Sequence, residues 1–531
     1  MFWLTTNIIA GLTCLGVFTV VLLRISKARS QLPRLPGPPR LPIIGNLLQS
    51  PKSHEWETYK QWDVQYDCFK GSNSGIIQFD VAGSSVVVIN SAEVASDLLE
   101  KRSRIYSSRP TAPMVYDLMG WNWNFGFQPY GESCPHVMRR ARRHAFSQTF
   151  NANAARSFYP QEIKATHRLL LRLLEDPKPF REHLRHHAAG VVMSVAYGIE
   201  IQPHKDPYVT LAEDSVEPLL FALVPGTFLV DSFPFLKHVP SWFPGAGFKR
   251  KARVWKEQAS KMVNEPFLAA KKMIDTGKFM PSFISLSLDR IHDSDDSARL
   301  EEKEKVIREA AGSMYLAGSD TTVAALCSFI YAMTLSPEIQ RKAQEELDSV
   351  IPPGRLPAFD DEKSLPYVTA IVWEALRWQN VTPLGIPHYL EVEDEYRGCR
   401  VPANSVVISN VWAILHDERL YPDPFEFKPE RYLKDGKIDE TVQAPLFAAF
   451  GFGRRVCPGR HVAYSSVWIA TASILKTFNI SKAVDDKGHV IEPMFEPENS
   501  IVATPKPFRC AIKPRSAEAE ALILASTREV S

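Results

Sequence analysis

Phe450-Gly451-Phe452-Gly453-Arg454-Arg455-Val456-Cys457-Pro458-Gly459-Arg460 puts one cysteine where a glycine-rich loop gives way to a helix. The helical pattern runs over 462–478. Pro458 suits a first helical turn, where no amide donor is needed. Free amide N–H groups and the positive end of the helix dipole then face the Cys457 sulfur. Arg454 and Arg455 stand close by in sequence, and each of these features favours the thiolate. Gly451, Gly453 and Gly459 let the backbone approach a flat object. A thiolate on such a loop suits a soft or redox-active metal, haem iron foremost. A buried structural cysteine beside a glycine turn is the plain alternative. A dinucleotide loop is weaker, because no strand–loop–helix unit with a third glycine follows.

A second stretch answers the first. Residues 301–335 read as one helix, about 50 Å long at the usual rise per residue, ending at Ser336-Pro337. Inside it lies Ala317-Gly318-Ser319-Asp320-Thr321-Thr322. Glycine in a helix interior costs about 1 kcal/mol. Such local conflict marks a functional site or a close helix crossing. Ala317 and Gly318 leave room for a ligand against the backbone. A threonine hydroxyl can hold dioxygen or water, and an adjacent acid can relay protons. Further on, a helix over 367–378 carries Glu374-Ala375-Leu376-Arg377. Alone, an acid–arginine pair at this spacing is usually a surface contact worth little.

Phe450, Gly453, Arg455, Cys457 and Gly459 fit F-x-x-G-x-R-x-C-x-G, and on them the chain resembles the cytochrome P-450 (haem-thiolate monooxygenase) family. Residues 317–322 resemble its A-G-x-D-T-T signature. Glu374 to Arg377 match E-x-x-R, and Glu374 lies 83 residues before the cysteine (457 − 374). Phe427-Lys428-Pro429-Glu430-Arg431-Tyr432 resembles P-E-R-F, with tyrosine last. The style, including Tyr106-Ser107-Ser108-Arg109-Pro110, is that of fungal microsomal members.

The resemblance covers 32–515 and implies a mainly α fold with a small β region. It implies haem b between the long helix and the cysteine loop, its iron held by Cys457, with Phe450, Gly453 and Gly459 shaping that loop. Asp320 takes the acid role and Thr321 the alcohol role. Glu374, Arg377 and Arg431 form a structural network that locks the cysteine loop. Arg455, His388 and Arg142 meet haem propionates. Arg142 occupies the arginine of a W-x-x-x-R pattern in which Met138 stands for tryptophan. Pro383 and Pro387 hold 381–388 extended along the substrate pocket. Residues 67–74 and 133–137 look added to the family pattern, as tolerated insertions or an error in the coding sequence, and Pro135 threatens the start of the arginine helix.

Organisation agrees with this. The chain has 531 residues, 45% hydrophobic and 23% charged, with a formal net charge of +2, which gives no pull towards nucleic acid. Seven scattered cysteines without C-x-x-C exclude a disulfide framework or zinc site and fit a reducing compartment. Residues 1–23 carry no charge. As a helix they span roughly 30 Å, one hydrocarbon core. Arg24, Lys27 and Arg29 follow, which orients the bulk of the chain to the cytosol as a single-pass anchored protein of the endoplasmic reticulum membrane. A cleaved signal peptide would carry its charges before the apolar run.

Residues 24–46 form a basic, proline-rich hinge and stiff spacer. The haem domain occupies 47–515, and 516–531 a loose tail. Within the domain, 75–90 predict a β-hairpin, 91–102 a helix, 160–300 alternating helices and proline breaks around a substrate entrance, 499–502 a turn reaching the substrate, and 505–510 a closing strand.

The implied activity inserts one atom of dioxygen into an apolar organic substrate, by hydroxylation, in secondary metabolism or xenobiotic oxidation. No flavin or nicotinamide motif is present, so electrons come from NADPH through a separate flavoprotein reductase. Arginines 139–143 with Arg454 offer it a basic face. Two other activities stay open: a haem-thiolate isomerase or dehydratase, and a haem-binding protein impaired at Met138 and the two added segments.

Overall fold

The structure, a computed structural model, describes residues 32–67, 74–81, 83–130, 134–224, 226–291, 297–494, 496–498 and 500–528. The expected anchor over 1–23, the first part of the hinge and most of 67–74 lie outside the described residues.

Eleven helices of ten or more residues order the described chain: α1 Glu55–Gln65, α2 Cys134–Phe150, α3 Tyr159–Glu175, α4 Phe180–Val192, α5 Pro207–Leu223, α6 Gly247–Asp275, α7 Ser297–Leu335, α8 Pro337–Val350, α9 Pro366–Trp378, α10 Arg460–Thr477 and α11 Ala517–Arg528. A four-stranded sheet holds β1 Ile76–Val81, β2 Ser84–Ile89, β3 His388–Leu390 and β4 Ser405–Ser409 in the spatial order β1-β2-β4-β3. The hairpin β1–β2 forms as its β-branched runs dictate, with Phe79 opposite Val86. β2 then pairs parallel with β4. A separate ribbon pairs β5 Phe478–Lys482 with β6 Cys510–Pro514. The closing strand thus begins at Cys510, later than expected, because Pro505 and Pro507 have no amide to donate to a ladder.

The long helix α7 organises the interior. Its first half, with Ile307, Ala310, Ala311 and Tyr315, packs into one apolar core with α2, α4, α5 and α6. Its second half, from Val323 to Met333, packs into another with α3, α8, α9 and α10. Residues 317–322 sit where the helix passes from one core to the other. The same helix is the candidate span by length and apolarity, Arg299–Leu335, among the described residues, and it is mostly buried inside the protein.

Three expectations change. The proline-rich segment is no free spacer from Pro33 onward. Its carbonyls at Pro33 and Pro36 accept from the Arg400 and Gln78 amides, both at 2.7 Å, and Arg34 and Arg40 both reach Asp80. Proline carbonyls remain acceptors although the nitrogens cannot donate, so the segment lies against β1 at Pro36 and against the separate ribbon of Cys399–Val401 at Pro33. The tail is no loose end up to Arg528. Good helix formers and an i,i+4 stripe of Ala519 and Ile523 make α11, whose Ile523 is buried in the second core. Pro135 does not interrupt the arginine helix, because α2 begins at Cys134 and proline is tolerated in a first turn.

Candidate active site

The cysteine loop is closed by its own backbone: the Cys457 amide donates to the Phe450 carbonyl at 2.7 Å. Gly453 has φ +52°, and a Cβ there would stand 2.2 Å from the Leu99 carbonyl oxygen, so only glycine fits. Gly459 is the N-cap of α10, which places Pro458 just outside the helix rather than in its first turn. Burial raises the Cys457 thiol above its ordinary pKa, while the Gly459 amide, Arg143 and Arg460 pull it back towards thiolate.

The cations beside the sulfur are therefore Arg143 and Arg460. Arg454 and Arg455, expected there, lie on a single 3-10 turn over Gly453–Arg455 and reach across to residues 103–130. Arg454 donates to Ser103 Oγ at 3.1 Å and to the Tyr130 hydroxyl. Arg455 donates to the Ser107, Gln128 and Phe125 carbonyls at 2.7, 2.6 and 3.4 Å.

Arg455 belongs to a buried cationic nest. Burial first, then the charges of Arg109, Arg139 and Arg143, push its pKa down to about 8. Arg109 is pushed down to about 10 by burial and by Arg139 and Arg143. Its guanidinium donates to the Gly126, Ile386 and Pro387 carbonyls at 3.1, 2.6 and 2.8 Å. Arg139 is 3% exposed, lies 4.6 Å over the Tyr130 ring, and its Nε has no partner. Arg143 donates to the carbonyl of Val456, next to the cysteine, at 3.0 Å. Among the described residues none of these four arginines pairs with a carboxylate; backbone carbonyls, with Tyr116, Tyr130 and the Cys457 sulfur, help hold their charge. His388 borders the nest on β3. It donates from Nδ1 to the Tyr106 carbonyl at 2.6 Å, and burial with Arg109 and Arg455 keeps it neutral, far below its usual pKa.

Arg142, expected at a propionate, is engaged elsewhere. It donates from Nε to Glu309 of α7 at 2.6 Å and from Nη1 to Gln128 at 2.9 Å, and both members of the ion pair are almost fully buried. Glu309 lies 167 residues away, beyond any local reading of the sequence. Met138 falls on α2, with its side chain outside those described.

The acid–arginine pair on α9 is no surface contact. Glu374 and Arg377 are both 0% exposed and joined twice at 2.8 Å. Arg431 reaches the same carboxylate at 3.1 Å. Arg377 further donates to the Leu415, Pro424 and Glu426 carbonyls, and Arg431 to those of Pro422, Asp423 and Glu426. The network thus clamps the segment from Leu415 to Arg431 rather than the cysteine loop itself. Tyr421, within the clamped stretch, and Tyr432, just past it, carry the order on by sharing a core with Ala448 and Phe452.

On α7, Gly318 answers a close crossing: a Cβ there would stand 2.4 Å from Val192 of α4. Ala317, one residue back, is exposed in mid-helix. Thr321 donates its hydroxyl to the Ala317 carbonyl at 2.7 Å on that same face. Burial raises the Asp320 carboxyl and Glu498 adds to the rise, while Arg185 and Arg181 oppose it. The 381–388 segment meets the chain after residue 499 through the Ala503 amide, which donates to Val381 at 2.9 Å; Asn499 itself lies outside the described residues. The cysteine helix also straddles the two cores, with Val462 against the first and Tyr464 against the second. Arg143 joins the thiol to the cationic nest, and α7, which carries Thr321, packs with α10 in the second core.

That donor set fits one kind of group: flat, with a metal that takes a thiolate and two carboxylates to neutralise the nest. Haem has all three. The fold and this site define a haem-thiolate monooxygenase, and the family model for Cytochrome P-450 matches residues 35–511. The chain belongs to that family, whose members hold a haem iron by a cysteine thiolate, use dioxygen and an organic substrate, and usually draw on a redox partner. It is 45% identical over 524 residues to Cytochrome P-450 monooxygenase 98 of Postia placenta, covering 98% of each chain. It is 44% identical to Cytochrome P-450 monooxygenase ple1 of Rhodocybe pseudopiperita over 94% of this chain and 92% of that one. It is 43% identical to Tryptamine 4-monooxygenase of Psilocybe cyanescens over 92% and 94%.

Sequence reasoning missed Arg109 as a site residue and took Arg139 and Arg143 only for parts of a basic face. The one available signal was the Ser-Arg-Pro within 108–110, used above only for its family style.

Proposed function

We propose that Cys457 is the thiolate ligand of the haem iron and that Arg455, Arg109, Arg139 and Arg143, with His388, hold the propionates. The observation that carries this is the cationic nest without a carboxylate partner, beside the cysteine loop. Bound there, the haem supplies dioxygen activation. Asp320 and Thr321 move protons to the site, and the Glu374–Arg377–Arg431 clamp holds the 415–431 segment, whose Tyr421 shares a core with Phe452 of the cysteine loop. Ile386, exposed on the 381–388 segment, and the chain around Ala503 border the substrate space. No carboxylate of the described chain faces that segment in a hydrogen bond, which supports an apolar substrate.

Electrons come from NADPH through a separate flavoprotein reductase, and the product is a hydroxylated apolar compound of secondary metabolism or xenobiotic oxidation. The uncharged run over 1–23 with basic residues after it supports a single-pass anchor in the endoplasmic reticulum membrane, with the main domain in the cytosol. One relative is named a tryptamine 4-monooxygenase, so indoles belong beside terpenoids and fatty acids in the substrate panel. The test is expression with a reductase. A thiolate-type red-shifted Soret band of the reduced carbon monoxide complex, lost in Cys457→Ala, supports the assignment. The same band in Cys457→Ala refutes it.

A further inference from the structure

Residues 121–130 present three of the backbone carbonyls that the nest uses. Arg455 donates to those of Phe125 and Gln128, and Arg109 to that of Gly126. The Tyr130 ring lies beneath both Arg139 and Arg454. After a 3-10 turn over Trp121–Trp123 the segment forms neither helix nor strand. Its own bonds are local: the Gly126 amide donates to Asn124 Oδ1 at 2.8 Å, and Gln128 Nε2 to the Asn122 carbonyl at 2.7 Å. Acceptors on an irregular segment stay in place only if a rigid element holds them.

Helix α7 holds this segment at two points one turn apart, on neighbouring positions of its surface. At Gly312 a Cβ would stand 3.0 Å from the Trp123 ring and 2.8 Å from Val263 of α6, so only glycine admits the indole. At Glu309 the carboxylate takes Arg142 of α2, and the far side of that guanidinium, Nη1, donates to Gln128 Oε1 at 2.9 Å. The backbone carbonyl of the same Gln128 accepts from Arg455 at 2.6 Å. Glu309, Arg142 and Gln128 thus form one line of contacts from α7 to the nest. A buried ion pair adds little net stability, and its best use is to fix register between elements.

We propose that Glu309, Arg142 and Gln128 are positioning residues for the nest: they tie the segment that receives Arg455 and Arg109 to α7, so that the helix carrying Thr321 also sets how firmly the two carboxylates of the guest are held. The proposal rests on the reading of the nest as the propionate site. All three residues act through Arg455 and Arg109. Glu309 meets the charge of Arg142, which frees that arginine to hold an amide rather than join the nest as a fifth cation.

The holoenzyme tests this by haem transfer to an apomyoglobin trap and by its ferric–ferrous midpoint potential, with the melting temperature of haem-depleted protein as the control for folding. Gln128→Met keeps the side-chain length, the backbone carbonyl and the Arg142–Glu309 pair, and removes only the amide bonds; its half-burial makes it a safe variant. Haem transfer should run about threefold faster, the low end of one neutral hydrogen bond's worth. The midpoint should fall as Arg455 recedes from the propionate, and the depleted protein should melt as before. Arg142→Lys, which keeps a charge for Glu309 but lacks the planar fork that reaches the amide as well, should behave alike. Because Gln128 acts through Arg455, adding Gln128→Met to Arg455→Gln should speed transfer by less than its own threefold. If neither single variant moves transfer or midpoint while Arg455→Gln speeds transfer, or if the two effects multiply in full, the three residues are scaffold and the nest keeps its role. If Arg455→Gln itself leaves transfer unchanged, the reading of the nest fails and the proposal with it.

Discussion

Two clusters of buried charge in this protein are built on opposite plans. Around Glu374, two arginines share one carboxylate, and their remaining N–H groups end on six backbone acceptor contacts. Around Arg455, four arginines repel one another with no carboxylate among the described residues. Burying a charge is costly unless it is paired. The first cluster meets that condition within the chain and is scaffold. The second meets it only with an anionic guest, and so it marks a binding site. Both clusters end on backbone carbonyls, so neither arginine counts nor those acceptors separate them; the Glu374 carboxylate does.

The sharpest way to break the first cluster is Glu374→Gln, which strands Arg377 in a fully buried position. Removing one member of a buried pair costs about 3–5 kcal/mol, a large share of an ordinary domain's stability. Chemical denaturation should show that loss, and the carbon monoxide spectrum of the thiolate-ligated protein should vanish. In the second cluster, Arg455→Gln should leave the fold standing yet speed haem transfer to an apomyoglobin trap about tenfold, one charge-assisted bond's worth. A melting temperature that collapses in this variant, with haem loss unchanged, would make Arg455 scaffold.

The loop between the clusters gives a smaller effect. Gly453→Ala forces a left-handed residue against the Leu99 carbonyl and should cost about 1–3 kcal/mol. Gly459→Ala meets only the Phe146 ring, at 3.7 Å, and should be tolerated. Equal losses in the two would mean that the motif, not the local geometry, sets their importance.

A lone acid sharpens the contrast further. Glu162 of α3 is 0% exposed, and neither carboxylate oxygen has a partner by hydrogen-bond geometry. Burial raises its pKa well above 4.5, and the nearby Ser465 hydroxyl only partly opposes the rise. The folded chain therefore binds this proton more tightly than the unfolded chain does. Its full stability is present below pH 4.5 and falls as pH rises through the interval up to the folded pKa. Glu162→Gln should stabilise the protein by about 1–2 kcal/mol at neutral pH, with the gain gone below pH 4.5. A pH-independent effect would show that folding leaves this carboxyl's pKa unshifted.

Much of the molecule was legible in the chain. The β1–β2 hairpin, the long helix α7 and the helix of Glu374 follow from periodicity and β-branched runs, and the motifs name Cys457, Thr321 and Glu374. Long-range partnership was not legible. Nothing local to Arg109 says that it will face Arg455, and nothing local to Arg142 says that Glu309 will take it. Burial reversed the expected weight of the Glu374–Arg377 pair, because spacing on a helix does not tell which face is inside. Gly318 was read as room for a ligand, and its missing side chain instead admits Val192. The proline-rich segment and the final helix were judged by composition, whereas neighbours supply their carbonyl partners and their apolar cover.

The central claim is that the Arg455 nest is completed by the two carboxylates of haem. Cofactor-depleted protein offered haem or its dimethyl ester, which has the same ring and iron but no free carboxylates, tests it most directly. Haem should raise the melting temperature and the ester should leave it nearly unchanged. Equal stabilisation by both would show that ring and thiolate suffice and that the nest serves something else.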